Sequence, residues 1–284
     1  PESLARVDRA DLLLAQERFL NPNNSTFVII GGVQRLRAIR ALRQLLGTWR
    51  KSEQIIPTTF RQPEPPAPPT LIINAPADQS AEIRLASRGL ARSDRDFAAA
   101  TILAIVARKR WETQTPELTR NPVFVRNETH VLPGMFVMGA TIDSLLVGRT
   151  LKTAREVLQS LARAPVSDVE LAQSRNEAIA QFTKDLGWAD GIARAWLDVD
   201  TFNLPPVSEQ IRAFSSTSSS DLQRVAAALF GETRFASVVI GNSQQLKATI
   251  EPSLQVELMG ELEKSQPSKS EDKPITTIPV KKPD

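Results

Sequence analysis

The chain has 284 residues, of which 41% are hydrophobic, and a formal net charge of +3. This length is sufficient for two domains, each with its own hydrophobic core. The absence of cysteine excludes disulfides, thiolate nucleophiles and cysteine-ligated metals. The arginines are scattered and no apolar run is long enough to span a bilayer, so we expect neither nucleic-acid binding nor a transmembrane segment. Because no Met precedes Pro1, we expect a processed chain or a piece of a longer one.

The first part of the chain predicts a helix, a strand and a second helix. Helical spacing covers residues 9–20, and an Asn-Pro turn leads into a β-branched run over residues 26–30 that ends at two glycines. Leucine and isoleucine recur at helical spacing over residues 33–46, with arginines on the other face and Gly47 as a candidate cap. We therefore expect an amphipathic helix whose arginine-rich face is solvated.

Two segments have the composition of non-globular chain. Residues 61–70 contain five prolines, which favour an extended polyproline conformation and predict a semi-rigid linker. Residues 261–284 are rich in proline, serine, lysine and acidic residues, and their apolar content is too low for independent folding. They predict a tail.

The segment after the linker mixes strands with long helices. Strands are predicted over residues 71–74, 82–87 and 235–240, and the Pro133-Gly134 turn predicts a β-hairpin of residues 123–128 and 135–141. Ser167, followed by Glu170, forms a capping-box pattern that opens a long helix. The helical patterns cover residues 94–111, 150–164, 167–186, 191–197, 208–214 and 220–229.

The two ends of this pattern repeat each other at an offset of 210 residues. Asp11-Leu12 begins a helix that leads to an apolar strand ending at Gly31, and Asp221-Leu222 does the same before Gly241. Leu4 lies opposite Phe214 at the same offset. So long a period indicates duplicated domains rather than a solenoid, although two common helix-strand units could also coincide by chance.

The sequence resembles the pitrilysin and mitochondrial-processing-peptidase family. The family's first domain ends with a helix opened by Asp-Leu, a Pro-Asn turn, an apolar strand ending in Gly, a helix and Gly-x-Trp. The matching residues are Asp11-Leu12, Pro22-Asn23, Val28 to Gly31, and Gly47-Thr48-Trp49. The resemblance continues to about residue 260. It implies an α+β metallohydrolase fold in tandem copies, with an antiparallel sheet packed against helices.

The resemblance also implies the domain boundaries. Residues 1–60 would end the first peptidase-like domain and residues 61–70 would be the linker. Residues 71–260 would form the second, inactive domain, and residues 261–284 the tail.

The chemistry of the active family members is absent. They are inverted zincins, in which HxxEH on a helix supplies two histidines and a catalytic glutamate. This chain has one histidine, His130, which we interpret as a turn or surface residue. We therefore expect no catalytic residue, metal ligand or cofactor in this chain. Zinc would be held by a partner or by a missing N-terminal part.

A substrate-binding region is also implied by the resemblance. The family's second domain contributes an Arg and a Tyr that bind substrate and stabilise the oxyanion. This chain has no tyrosine; the Tyr position falls near Phe124, which cannot donate that hydrogen bond, and the Arg position falls near Glu117. The candidate residues are Arg110, Arg120, Phe124 and Arg126.

Two further residue sets have ordinary structural interpretations. The tryptophans are expected to be core or interface anchors, and the aspartates that follow residue 184 are expected to be solvated residues and helix caps. These residues are Trp49, Trp111, Trp188, Trp196, Asp185, Asp190, Asp198 and Asp200.

The sequence therefore favours a non-catalytic half of a pitrilysin-type zinc metallopeptidase assembly. Its partner would be an HxxEH-bearing homologous chain or domain, or a second copy, and together they would enclose an unfolded peptide. The alternatives are an inactive scaffold of the same fold and a C-terminal fragment of one active peptidase. The usual location of such family members and the lack of cysteine suggest that the protein is located in the bacterial periplasm or cell envelope.

Overall fold

The computed structural model describes residues 2–51, 70–75, 80–120, 123–231, 235–250 and 256–261. The predicted linker, apart from Thr70, and the predicted tail beyond residue 261 lie outside the described residues. The helices are α1 (Glu2–Ala5), α2 (Arg9–Phe19), α3 (Arg35–Leu46), α4 (Phe97–Gln114), α5 (Val147–Arg163), α6 (Asp168–Thr183), α7 (Ala189–Thr201), α8 (Val207–Ser216), α9 (Ser219–Phe230) and α10 (Ser243–Thr249). The strands are β1 (Thr70–Asn74), β2 (Ser80–Arg88), β3 (Val123–Glu128), β4 (Met135–Asp143), β5 (Ala236–Gly241) and β6 (Val256–Glu261).

The strands form one six-stranded sheet in the order β3-β4-β2-β5-β1-β6. The predicted hairpin is confirmed, because β3 and β4 pair antiparallel from Val123 opposite Ala140 to Glu128 opposite Met135. β2 lies antiparallel between β4 and β5. However, β1 runs parallel to both β5 and β6, so the sheet is mixed rather than wholly antiparallel.

The hydrophobic core lies between the sheet and its helices. α4, α5 and α9 are adjacent to the sheet and to one another, and α6 and α8 pack against α4. Trp111 of α4 is fully buried, and its indole nitrogen donates to the Thr150 carbonyl oxygen at 3.3 Å. Phe136 of β4 meets Phe230 of α9 edge-on at 4.8 Å between ring centroids. The predicted α+β architecture is thereby confirmed.

The capping box predicted at Ser167 is confirmed. Ser167 caps α6, with the Ser167 side chain on the Glu170 amide and the Glu170 side chain on the Ser167 amide. The same reciprocal arrangement joins Ser218 and Asp221 at α9, and Asp8 and Asp11 at α2. The last two pairs lie at equivalent positions of the sequence repeat.

We call residues 2–51 the N-terminal unit and residues 207–250 the C-terminal unit. Each contains a short helix, a longer capped helix, an extended segment ending in glycine, and a further helix. In the C-terminal unit the extended segment is β5, paired on both sides. In the N-terminal unit, residues 26–30 pair with no strand within the described part of the chain, so the strand predicted there is not formed.

The N-terminal unit has a small aromatic cluster of its own. Phe27 meets Trp49 edge-on at 6.4 Å between centroids, and the Trp49 indole nitrogen donates to the Leu20 carbonyl at 3.0 Å. Its link to the rest of the molecule includes a hydrogen bond from the Thr26 hydroxyl to the Asp200 carboxylate of α7. The arginines of α3 are exposed, as predicted.

Several details differ from the sequence-based expectations. α10 and β6 were not predicted. Gly47 follows α3 in a right-handed helical conformation, so no left-handed cap forms there. Trp188 and Trp196 are exposed, so of the two predicted roles, core or interface anchor, only the interface role remains for them. His130 is exposed, as predicted.

Candidate functional site

The sheet has two chemically different faces, which are set by the alternation of side chains along β2. One set of β2 side chains faces the helices and is buried: Ala81, Ile83 and Leu85. The intervening residues Glu82 and Arg84 are half-exposed on the other side. We call this other side, with its in-register neighbours on β3, β4 and β5, the open face.

An aromatic ring lies across the open face at β3 and β4. Phe124 is paired in register with Gly139, which is in turn paired with Arg84. A Cβ on Gly139 would lie 2.5 Å from the Phe124 ring and 2.9 Å from an Arg84 nitrogen. Glycine at this position therefore allows the ring and the guanidinium to approach the backbone of β4 closely.

Two arginines stack on this ring. The guanidinium carbons of Arg84 and Arg126 each lie 4.7 Å from the centroid of Phe124, the geometry of a cation–π contact. Arg84 also pairs with Glu82 on its own strand. Arg126 is exposed and forms no ion pair with any residue that the structure describes. Of the two guanidiniums on this ring, that of Arg84 has a counter-charge on its own strand and that of Arg126 has none among the described residues.

The other half of the open face is aliphatic. Val238 and Ile240 of β5 are in register with Arg84 and Glu82. Leu71 and Ile73 of β1 follow in the same rows. All four are only half-buried. A polar and aromatic cluster beside an aliphatic strip suits an extended peptide, which has both polar backbone and apolar side chains.

The four candidate substrate residues separate in the structure. Phe124 and Arg126 lie together on the open face, whereas Arg110 lies on α4 in the helical layer. Arg110 donates to both carboxylate oxygens of Glu170, at 2.9 and 3.0 Å, and this pairing holds the pKa of Glu170 down at about 2. The side chain of Arg120 lies outside the described part.

Arg84 was missed by the sequence reasoning. The alternation of charged residues along β2, with apolar residues between them, was a readable sign of an outward face. Its association with Phe124 was not readable, because it depends on two strand pairings between residues distant in sequence.

The two-histidine zinc site of the active family members cannot be assembled from this chain's side chains. The sequence has one histidine, no cysteine and no tyrosine. Among the described residues, no three His, Asp or Glu side chains group in a way that could hold a metal ion. The chain therefore does not fit the two-histidine zinc site of an inverted zincin.

Comparison with known proteins assigns this fold. The family model of the peptidase M16 inactive domain matches residues 6–106. A protease from Helicobacter pylori superimposes with a TM-score of 0.74 at 17% identity, covering 84% of this chain and 60% of that one. A peptidase M16 inactive domain from Pseudomonas fluorescens gives 0.72 at 17% identity, with coverages of 85% and 60%.

A third structure of the same fold is longer. The periplasmic protease PqqL from Escherichia coli gives a TM-score of 0.68 at 13% identity, covering 85% of this chain and 28% of that one. A comparison with curated protein sequences finds no match.

These findings confirm the resemblance to the pitrilysin and processing-peptidase family, in a chain that lacks the catalytic motif. The chain spans about 60% of the length of the first two structures. None of the described helices combines the length and the hydropathy needed to cross a membrane.

Proposed function

We propose that this chain is the non-catalytic half of an M16-type zinc metallopeptidase assembly. It pairs with an HxxEH-bearing homologous chain or domain, which holds the zinc, and the two enclose an unfolded peptide. We also propose that residues 1–60 end a first peptidase-like domain, that residues 61–70 link it to the second domain at 71–260, and that residues 261–284 form a tail.

The observation that carries the pairing is the apolar surface of the N-terminal unit. Leu12 is 62% exposed and Ile29 is 51% exposed. Their equivalents in the C-terminal unit, Leu222 and Val239, are fully buried. An exposed apolar surface of this kind is typical of a protein-protein interface.

The C-terminal unit indicates what such an interface needs. Val239 lies in β5, which pairs with a parallel strand on one side and an antiparallel strand on the other. Leu222 of α9 belongs to the hydrophobic core between the sheet and its helices. A module with the sheet and helices of residues 70–230 would cover Leu12 and Ile29 in the same way. A homologous domain, on the same polypeptide or on another, is the partner of matching chemistry.

The open face supplies the peptide contact in this proposal. Arg126 would bind a peptide carbonyl or carboxylate, and the aliphatic strip would hold apolar side chains. Phe124 provides a stacking surface but no hydroxyl donor, so this half would position the peptide and leave oxyanion stabilisation to its partner.

Mixing the chain with an HxxEH-bearing homologue from the same genome tests the proposal. We expect a stable complex by size-exclusion chromatography and faster cleavage of an unfolded peptide than the homologue achieves alone. In the chain, Leu12→Asp with Ile29→Asp should abolish the complex. The control is Leu145→Asp, because Leu145 is also exposed but lies outside the N-terminal unit. Equal loss in both variants would contradict the assigned surface.

The scaffold alternative rests on the absence of tyrosine from the chain, since the family's tyrosine position falls near Phe124. It predicts a stable complex with unchanged cleavage. Formation of the complex only between copies of this chain would favour self-association instead. An HxxEH motif upstream of Pro1 in the parent gene would instead support the third possibility, a fragment of one active peptidase.

We propose that this chain is located in the bacterial periplasm or cell envelope. The structurally similar PqqL is a periplasmic protease, which supports this location. Fractionation of cells that express the parent gene tests this.

A further inference from the structure

A small cavity in the helical layer is separate from the open face. It has a volume of about 190 Å³ and lies where the loop before α4 meets the end of α6, α7 and α8. At about 30 Å³ per water molecule, this is room for about six waters or for one amino acid. Its wall carries charges of both signs, Arg92 and Asp198 among them.

Arg92 is held in a fixed position against this cavity. Its guanidinium carbon lies 4.0 Å from the centroid of Phe97, and one nitrogen donates to the Gln210 side-chain oxygen at 2.9 Å. The Gln210 nitrogen donates to the Pro205 carbonyl at 2.9 Å, which fixes the orientation of the amide.

Most hydrogen-bond donors of this guanidinium remain available. Arg92 is half-buried and forms no ion pair with any residue in the described ranges. Burial lowers the pKa of Arg92, and the charge of Asp198 acts in the opposite direction. A guanidinium has five N–H donors, so several can still reach an anion in the cavity.

Asp198 faces the same cavity from α7. It is half-buried, and within the described part of the chain its carboxylate makes neither an ion pair nor a side-chain hydrogen bond. Arg92 and Asp198 are thus close enough to share a cavity but do not bridge it. A ligand whose carboxylate and ammonium group are attached to the same carbon could pair with both side chains.

The rest of the lining combines an apolar wall with the polar residues Asp185, Arg194 and Gln210. Phe182, Leu186 and Val207 contribute the apolar surface. Gly191 brings α7 against the preceding turn so closely that a Cβ would lie 1.9 Å from the Asp185 carbonyl oxygen. Arg194 is largely exposed and pairs with Asp190, a residue outside the lining.

We propose that this cavity binds a single free α-amino acid with an apolar side chain. Its carboxylate is held by Arg92, its ammonium group by Asp198, and its side chain by Phe182, Leu186 and Val207. A peptide end carries only one of the two charges and satisfies one side of the site. The site is independent of the proposed pairing.

Calorimetric titration of the chain with L-leucine tests the site. We expect saturable binding of leucine. Leucinamide lacks the carboxylate and 4-methylpentanoate lacks the ammonium group, and each should bind at least about tenfold more weakly, about 1.4 kcal/mol. No binding of leucine, valine or alanine at millimolar concentration would refute the proposal, as would equal binding of 4-methylpentanoate.

Two variants assign the charges. Arg92→Gln and Asp198→Asn should each weaken leucine binding about tenfold or more, while Asp190→Asn, outside the lining, should change it less than about twofold. Unchanged affinity in both cavity variants would overturn the assignment. If either variant fails to fold, as judged by circular dichroism, the ligand series on the unmodified chain still decides.

Discussion

The N-terminal and C-terminal units share a sequence pattern and differ in burial. Their principal helices open with the same reciprocal cap, at Asp8 and Asp11 in one and at Ser218 and Asp221 in the other. Yet Leu12 is exposed where Leu222 is buried. Local sequence therefore determines the helix and its start, whereas burial of its apolar face depends on what packs against it.

The same difference holds for the extended segments. β5 is stabilised by backbone hydrogen bonds on both sides, and its inward residue Val239 lies in the core. The equivalent segment, residues 26–30, is equally β-branched but has no paired neighbour among the described residues. A strand is a property of its neighbours as much as of its own composition.

The largest expected effect comes from truncating the buried helix. Leu222→Ala truncates a fully buried side chain of α9 in the hydrophobic core, so we expect a loss of about 3 kcal/mol in the free energy of unfolding. Urea denaturation followed by circular dichroism measures it. A loss below about 0.5 kcal/mol would mean that α9 is not part of the cooperative core.

The elements that the sequence predicted well are those with local signals. α6 begins where Ser167 and Glu170 predicted, and the hairpin turns at Pro133-Gly134. β6 was missed because it is held by parallel pairing with the distant β1, which no local pattern reports. The strand predicted over residues 26–30 is not formed, although its residues have the composition of a strand. No strand lies beside it within the described residues, so it has no backbone partner.

The candidate site was predicted only in part for the same physical reason. Phe124 and Arg126 sit two residues apart on one strand, so alternation alone places them on one face. Arg84 joins them through β4, and no local pattern reports that pairing. Arg110 was grouped with them by proximity in sequence, but a helix carries it into the other layer.

A smaller effect on the free energy of unfolding is expected from the ion pair between Arg110 of α4 and Glu170 of α6. Arg110 lowers the pKa of Glu170 to about 2, well below its ordinary value of 4.5. The resulting stability is present above about pH 4.5 and is lost as the pH falls towards 2. Because the Glu170 side chain is 37% exposed, solvent screening reduces the contribution to about 1 kcal/mol.

Glu170→Gln measures that contribution. The variant should be less stable than the unmodified chain at neutral pH, and the difference should shrink as the pH is lowered through about 4 towards 2. Thermal unfolding at several pH values follows it. A difference that is constant with pH would show that packing or capping, rather than charge, accounts for the change.

The two helix caps should respond differently to the same substitution. Ser218→Ala removes the side-chain acceptor at the start of α9, and we expect a loss of about 1 kcal/mol in global stability. Asp8→Ala removes the equivalent acceptor of α2, but should only fray that helix, because no residue of α2 is buried. Urea denaturation reports the first, and hydrogen exchange of the α2 amides reports the second. Equal global losses would indicate that α2 unfolds together with the core.

The smallest expected effect on stability is that of Leu12→Ala, the counterpart of Leu222→Ala. In the chain alone Leu12 is largely exposed, so the free energy of unfolding should change by less than about 0.5 kcal/mol. In the proposed complex the same side chain is buried, and its truncation should weaken association by about tenfold or more. Analytical ultracentrifugation with the HxxEH-bearing partner measures the second value. If Leu12→Ala changes neither the stability of the chain nor its association with the partner, no homologous module covers the N-terminal unit. Leu12 then stays exposed in the complex as well.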